Sequence, residues 1–297
     1  MTMLGGFLID LYNAWTTQQP GRLAAALAYY GMFSFAPMLF FAITAAGIFF
    51  NELAIADQLF NRLADMLGQE TARFLQDMVI NASERTAGST TLTTLISLGA
   101  LLYAATGLFA QLKYSLNIIW GLPPAPDGGL TQFIKTRLLA FVMVLGVGLI
   151  LVLSTFLSFV GSALTTYFDF GLEIAAGNVA SFVILSGLSF ALMYKILPDV
   201  KVAWSEVWLG AGVTAILFAV GRWGLGFYLS HSNVSSAFEA AGALAIILIT
   251  IYYAAQIFLL GAIFSRVYAT RFGSKAVPET VWESSAAAKP PAAIHDD

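Results

Sequence analysis

Six long apolar stretches leave this chain few ways to fold. They run over about Ala24–Phe50, Leu92–Tyr114, Leu138–Val160, Asn178–Leu197, Val207–Leu229 and Ala241–Ser265. Each approaches or exceeds the roughly 20 apolar residues that a helix needs to cross the hydrocarbon core of a bilayer. The chain is 59% hydrophobic and only 10% charged, whereas a soluble domain carries about 25% charged residues. It cannot cover a water-facing surface with polar side chains, so the pattern predicts an all-α polytopic membrane protein with six transmembrane helices. The first stretch is too long for the apolar region of a signal peptide, and no small-residue cleavage site followed by soluble sequence comes after it.

Orientation is read from the placement of Lys and Arg. Arg22 precedes the first stretch; Lys113, Lys135 and Arg137 flank the connection between the second and third; Lys195 and Lys201 flank that between the fourth and fifth. Arg266, Arg271, Lys275 and Lys289 follow the sixth. The alternate loops hold only Arg62, Arg73 and Arg85, where acids outnumber them, and the loop carrying Asp169 and Glu173 has no basic residue. Both termini are expected on the cytoplasmic side.

Three segments outside the spans have their own patterns. In residues 1–23, Leu4, Phe7, Leu8, Leu11, Tyr12 and Trp15 fall on one helical face, which predicts an interfacial amphipathic helix ahead of a transmembrane domain over 24–272. Residues 51–91 read as an extracytoplasmic helical hairpin. Ile55, Leu59, Phe60, Leu63, Met66 and Leu67 form one stripe, Gly68 interrupts it, and Phe74, Leu75, Met78 and Val79 form a second. Residues 273–297, rich in Ala, Pro and Ser, read as a disordered cytoplasmic tail.

Several chemistries are excluded by composition. The chain has no cysteine, so it has no disulfide, thiol nucleophile or Cys-ligated metal. Two histidines, His231 and His295, cannot build a histidine cluster, and a net charge of −3 without a basic block gives no nucleic-acid surface. No phosphate-binding P-loop motif is present. The expectation is a non-enzymatic protein with no cofactor or metal and with membrane lipids as its partners.

Candidate functional residues are the polar ones inside the apolar stretches. Arg222 lies in the outer half of the fifth, within "FAVGRWGLGFYL", where a charge either snorkels to the interface beside Trp223 and Tyr228 or faces a cavity and binds an anion. Glu239 is its nearest acidic partner in sequence, with Asp169 and Glu173 as alternatives; Gly221, Gly224 and Gly226 leave space around it. Towards the cytoplasmic side, Tyr29, Tyr30, Gln111, Asn117 and Tyr194 make a second polar set, and Tyr252, Tyr253 and Gln256 predict an inward-facing side of the sixth stretch. Pro37 interrupts the first stretch and frees the carbonyl of Phe33, with Ser34 one turn back to compensate locally. Pro37, Gly221 and Gly224 are the candidate hinge or kink positions.

At these residues the chain resembles the YihY/BrkB family of bacterial inner-membrane proteins. The matching stretches are "AAALAYYGMFSFAPML", "LNIIWG", "YKILPDVKVAW", "GFYLSHSNVSSAF" and "AAGALAIILITIYYAAQIFLLGA", which together span most of the chain. The resemblance implies six membrane helices and a bacterial cytoplasmic (inner) membrane location. Two departures from the family pattern stand out: Phe238-Glu239-Ala240 replaces the usual Tyr-Gly-Ala, and Gly261-Ala262-Ile263 replaces Gly-Ala-Glu. A ribonuclease label carried by some members finds no metal-binding carboxylates or histidine pair here. The leading expectation is transport or flipping of a lipid or amphipathic anion in envelope homeostasis. The alternatives are a non-transporting scaffold that docks envelope proteins on the 51–91 hairpin, and a small-solute channel.

Overall fold

The computed structural model of the chain describes residues 3–47, 52–87, 91–122, 133–146, 150, 173–200, 202–231 and 234–273. These residues are helical throughout, with no strand among them. The helices are α1 (Met3–Gln18), α2 (Pro20–Gly47), α3 (Glu52–Leu67), α4 (Gln69–Ala87), α5 (Thr91–Ala105) and α6 (Gly107–Ile119). They continue with α7 (133–146), α8 (Glu173–Ile196), α9 (Trp204–His231) and α10 (Val234–Phe272).

Among the described residues, four segments are long and apolar enough to cross a membrane: Pro20–Ala45, Leu92–Ile119, Trp204–Arg222 and Gly242–Phe272. The expected fourth span corresponds to α8, with a shorter apolar portion at Phe182–Ile196. The expected third span starts in α7, and most of it lies outside the described residues, as do Asp169 and the tail beyond Gly273.

The chain turns from α1 into α2 at Gln19, whose φ of 48° is left-handed. Pro20 then opens α2, where a missing N–H costs nothing and φ is already helical. The second reversal is at Gly68, with φ +90°, a conformation that a Cβ would penalise and glycine adopts freely. It folds α4 back on α3, and the two apolar stripes read from the sequence meet there. Phe60, Leu67, Leu75 and Val79 are buried against Ala36, Leu39 and Ile43 of α2 and Ile246 and Ile247 of α10. The α3–α4 hairpin thus sits on the bundle and covers one end of it.

Helix α10 is the central post, packing against α1, α2, α4, α6 and α9, while α8 packs against α9. A larger core fills the end of the bundle opposite the hairpin, around Leu27, Leu116, Ile119, Leu197, Leu259 and Ile263. Glycines set the closest approach of α9 to α10. A Cβ on Gly210 would lie 2.7 Å from the Cβ of Ser265, and one on Gly261 would collide with Thr214 Oγ1. Buried hydrogen bonds fix the same contact. The Tyr194 hydroxyl donates to the Phe258 carbonyl at 2.6 Å and lies 2.9 Å from Thr214 Oγ1, which donates to the Gly210 carbonyl at 2.7 Å.

The apolar face of the first helix is split between buried and exposed positions. Phe7 is buried and meets the Phe264 ring edge-on at 5.2 Å, and Leu11 and Trp15 pack on the same core. Leu8 and Tyr12 point outward. An Asp10–Arg271 ion pair at 3.1 Å ties α1 to the last turn of α10.

Candidate functional site

The second span is interrupted at Thr106, and two residues from other helices occupy the interruption. In a continuous helix the Leu108 N–H would donate to the Ala104 carbonyl, four residues back. Here the Ser34 hydroxyl stands between them: it donates to Ala104 O at 2.6 Å and accepts from Leu108 N at 3.1 Å. Insertion of a side chain into the backbone ladder is one of the few causes of a sharp helix irregularity. Gly107 makes the approach possible, because a Cβ there would lie 3.0 Å from Ser34 Oγ. Ser34 therefore serves the neighbouring span rather than repairing the gap made by Pro37 in its own helix, as the sequence led us to expect. Helix α2 runs through Pro37 without ending.

Arg137 of α7 approaches the same interruption. Its Nη1 donates to the Tyr103 carbonyl and to Thr106 Oγ1, both at 3.1 Å, while the Thr106 hydroxyl donates to Leu102 O and Tyr103 O. The guanidinium lies 4.0 Å from the Tyr103 ring centroid and 5.4 Å from that of Phe133. At about 1.5 Å per residue, Thr106 is about 20 Å from either end of the Leu92–Ile119 span. Sequence reading counts Arg137 as a loop charge because it stands beside an apolar run; the structure carries its charge to the middle of a span. No local signal marks this, since the groups that receive it are some thirty residues away.

Beside the interruption lies a cavity of about 550 Å³ between α2, α4 and α5. Phe33, Ala36 and Pro37 form one wall, Met78 and Asn81 a second, and Ser97, Ala100 and Leu101 a third. Asn81 and Ser97 offer amide and hydroxyl groups in otherwise apolar walls. Such a surface suits the apolar part of an amphipath with a few polar anchors.

With this geometry in place, the chain can be compared with known proteins. The sequence profile described as virulence factor BrkB matches residues 11–283. The chain belongs to the BrkB family.

Curated relatives of this BrkB-family chain include UPF0761 membrane proteins of Saccharophagus degradans, 24% identical over 90% of this chain and 60% of that protein, and of Mannheimia succiniciproducens, 26% identical over 88% and 89%. The one from Tolumonas auensis is 31% identical over 58% of this chain and 57% of its own length. The chain spans 60% and 54% of the Saccharophagus and Ralstonia relatives, so those proteins carry sequence beyond what is described here. No solved structure matches. Together with the apolar helices, the relatives identify an integral membrane protein.

Within this BrkB-family fold, the other residues singled out from sequence do not form one site. Arg222 is exposed at the outside of α9, its guanidinium 5.2 Å from the Phe182 ring centroid. Glu239 lies on α10, Glu173 on α8, and Trp223 and Tyr228 on α9, and the side chains of all four lie outside the described residues. Gly221 takes up no space for a ligand: a Cβ there would lie 2.7 Å from Ile257 and 3.0 Å from Tyr253, so it is a helix contact. Gly224 has nothing within 4 Å.

Tyr29 and Tyr30 are exposed and meet edge-on at 5.6 Å, and Tyr29 continues to Phe33 at 5.1 Å. Tyr252 and Tyr253 are partly exposed, Tyr252 beside Gly21 of α2 and Tyr253 beside Gly221 of α9. Gln256 is half-buried; its Nε2 donates to the Tyr252 hydroxyl at 2.8 Å, and its Oε1 is buried with no partner among the described residues.

Asn117 gains partners that sequence reading missed. It exchanges two hydrogen bonds with Asp199, Nδ2 to Oδ2 and Oδ1 from the backbone N–H, each 2.9 Å. Lys113, almost fully buried, pairs with the other oxygen of Asp199 at 2.8 Å. Tyr194, expected near Asn117, is instead buried in the α8–α9–α10 contact. Arg266 of α10 donates to the Ile119 carbonyl at 2.7 Å, satisfying the end of α6 beside this cluster. Ile263, which stands where the family pattern has an acid, is fully buried in the apolar core.

Proposed function

We propose that this chain is a non-enzymatic transport protein that moves or flips a lipid or other amphipathic anion in the bacterial cytoplasmic membrane. In this reading it has six spans and both termini are cytoplasmic. The observation that carries the proposal is the cavity of about 550 Å³ whose walls include Pro37 and the N-terminal half of an interrupted span. The interruption itself leaves neither Ala104 O nor Leu108 N free, since Ser34 bonds both, so the support for a path is the cavity beside it. A scaffold would be served by a fully packed bundle, without a cavity at this position. In the same reading Arg222 meets an anionic headgroup near the hairpin end, and the Lys113–Asp199–Asn117 cluster closes the opposite end.

The test is lipid transfer across proteoliposome membranes by purified protein, compared with Ala100→Phe. Ala100 lines the cavity and its replacement fills it. The expected result is loss of transfer with the fold retained. Wild-type transfer by a folded Ala100→Phe protein would refute the cavity as the path, and Arg222→Leu, if fully active, would remove Arg222 from the mechanism.

A further inference from the structure

Arg137 has more hydrogen-bonding capacity than the helix interruption uses. A guanidinium carries five N–H donors in a planar fork. The bonds to Tyr103 O and Thr106 Oγ1 both come from Nη1, which leaves the Nη2 and Nε donors without an acceptor among the described residues. No carboxylate among the described residues pairs with it either: the ion pairs there are Lys113–Asp199 and Asp10–Arg271. A cation at mid-span without a counter-charge is costly in hydrocarbon, and such residues are normally paired or placed on a substrate path.

The surroundings define the ligand. Around the guanidinium, α5 and α7 present exposed apolar side chains to the outside of the chain: Leu98, Leu102 and Tyr103 from one, Phe133, Ile134 and Leu138 from the other. Hydrated inorganic phosphate has nothing to gain from that apolar frame. A molecule that joins an oxyanion to acyl chains matches both parts of it.

We infer that Arg137, with the Tyr103 and Phe133 rings beside it, is a binding site for the phosphate group of an anionic phospholipid, held between α5 and α7 at the level of the interrupted span. The free edge of the guanidinium faces the phosphate oxygens and Nη1 keeps the interruption in place. The acyl chains run along the leucine and isoleucine side chains. As a substrate site this rests on the transport reading; as a binding site it stands without it.

The experiment uses the full chain in detergent micelles, with retained lipid counted by native mass spectrometry in mixtures of phosphatidylglycerol and phosphatidylcholine. The wild type retains phosphatidylglycerol preferentially, and Arg137→Gln reduces that preference by about tenfold or more, the scale of a charge-assisted hydrogen-bond pair. Because Arg137→Gln also removes the Nη1 bonds, Phe133→Glu is the second variant. It leaves Arg137 intact and sets a carboxylate one helical turn away to compete for the guanidinium. It too abolishes the preference.

Inorganic phosphate at millimolar concentration leaves the lipid bound. Displacement of phosphatidylglycerol by phosphate would overturn the lipid assignment, and unchanged retention in both folded Arg137→Gln and Phe133→Glu would overturn the site. Lipid transfer measured on the same proteins separates the two readings. Arginine-dependent retention with no transfer by the wild type defeats transport and keeps the site. Transfer by the wild type with arginine-independent retention does the reverse.

Discussion

The Ser34 hydroxyl donates to the Ala104 carbonyl at 2.6 Å, across two helices, and in doing so holds the second span open at the point where its own ladder would close. This single contact links the proline-bearing span to the interrupted one. It also explains why the cavity lined by Pro37 and Ala100 lies where these two helices meet.

Removing the hydroxyl tests the link. Ser34→Ala leaves Ala104 O and Leu108 N without the group now between them, deep in an apolar interior. The cost is about 1–3 kcal/mol for each group left unsatisfied, offset to the extent that the α5–α6 ladder recloses. Thermal unfolding in detergent followed by circular dichroism should show a lower midpoint.

The glycine contacts between α9 and α10 give a paired prediction. Gly261→Ala places a methyl group against Thr214 Oγ1 and near the Tyr194 hydroxyl and should cost about 1–3 kcal/mol as overpacking. Gly99 on α5 has nothing within 4 Å of a built Cβ, so Gly99→Ala should be neutral or stabilising by up to about 1 kcal/mol. Adding Thr214→Ala to Gly261→Ala should recover part of the loss, which the melting midpoints of the single and double variants measure.

The Lys113–Asp199 pair is asymmetric. The lysine side chain is 10% exposed and the aspartate 50%. Asp199→Ala leaves a buried ammonium without its partner, whereas Lys113→Met leaves a carboxylate that water and Asn117 still solvate. Asp199→Ala should therefore destabilise more, by about 1–3 kcal/mol. The double variant should cost less than the sum of the singles. A double-mutant cycle on chemical unfolding reads the coupling.

The two arginines of the apolar region should behave differently. Arg222 is exposed and has one ring contact, so Arg222→Gln should change stability by no more than about 0.5–1 kcal/mol. Arg137 makes two hydrogen bonds and lies over two rings, so Arg137→Gln should cost about 2–4 kcal/mol. Melting of the two variants side by side checks the ranking.

What the sequence made legible follows from the range of the forces involved. Apolar runs and the Gly68 break are local signals, and α2, α9, α10 and the α3–α4 hairpin were readable from them. Pro37 stood out as a kink or hinge candidate for the same reason, and α2 continues through it. The interruption at Thr106 was not, because it is made by a hydroxyl from a helix some seventy residues earlier in the chain. Arg137 read as a loop charge for want of any sequence mark of what its side chain reaches. Asn117 was singled out, but its partner Asp199 is 82 residues away and became visible only when the loop after α8 was placed against α6. Arg222 drew attention as a charge in an apolar run, yet at the outside of α9 it needs no buried partner.

The hairpin seat also imposes an order of events. Helices α3 and α4 leave the ribosome early, after α2, yet part of the apolar surface they bury belongs to Ile246 and Ile247 of α10. During synthesis the stripe carrying Phe60 and Leu75 must wait, half-covered, until α10 has been delivered. Helices α2 and α10 are thereby latched by an element made between them. A chain stopped before α10 would keep α2 to α9 and still expose part of that stripe, the kind of uncovered apolar surface that makes incomplete chains prone to aggregate.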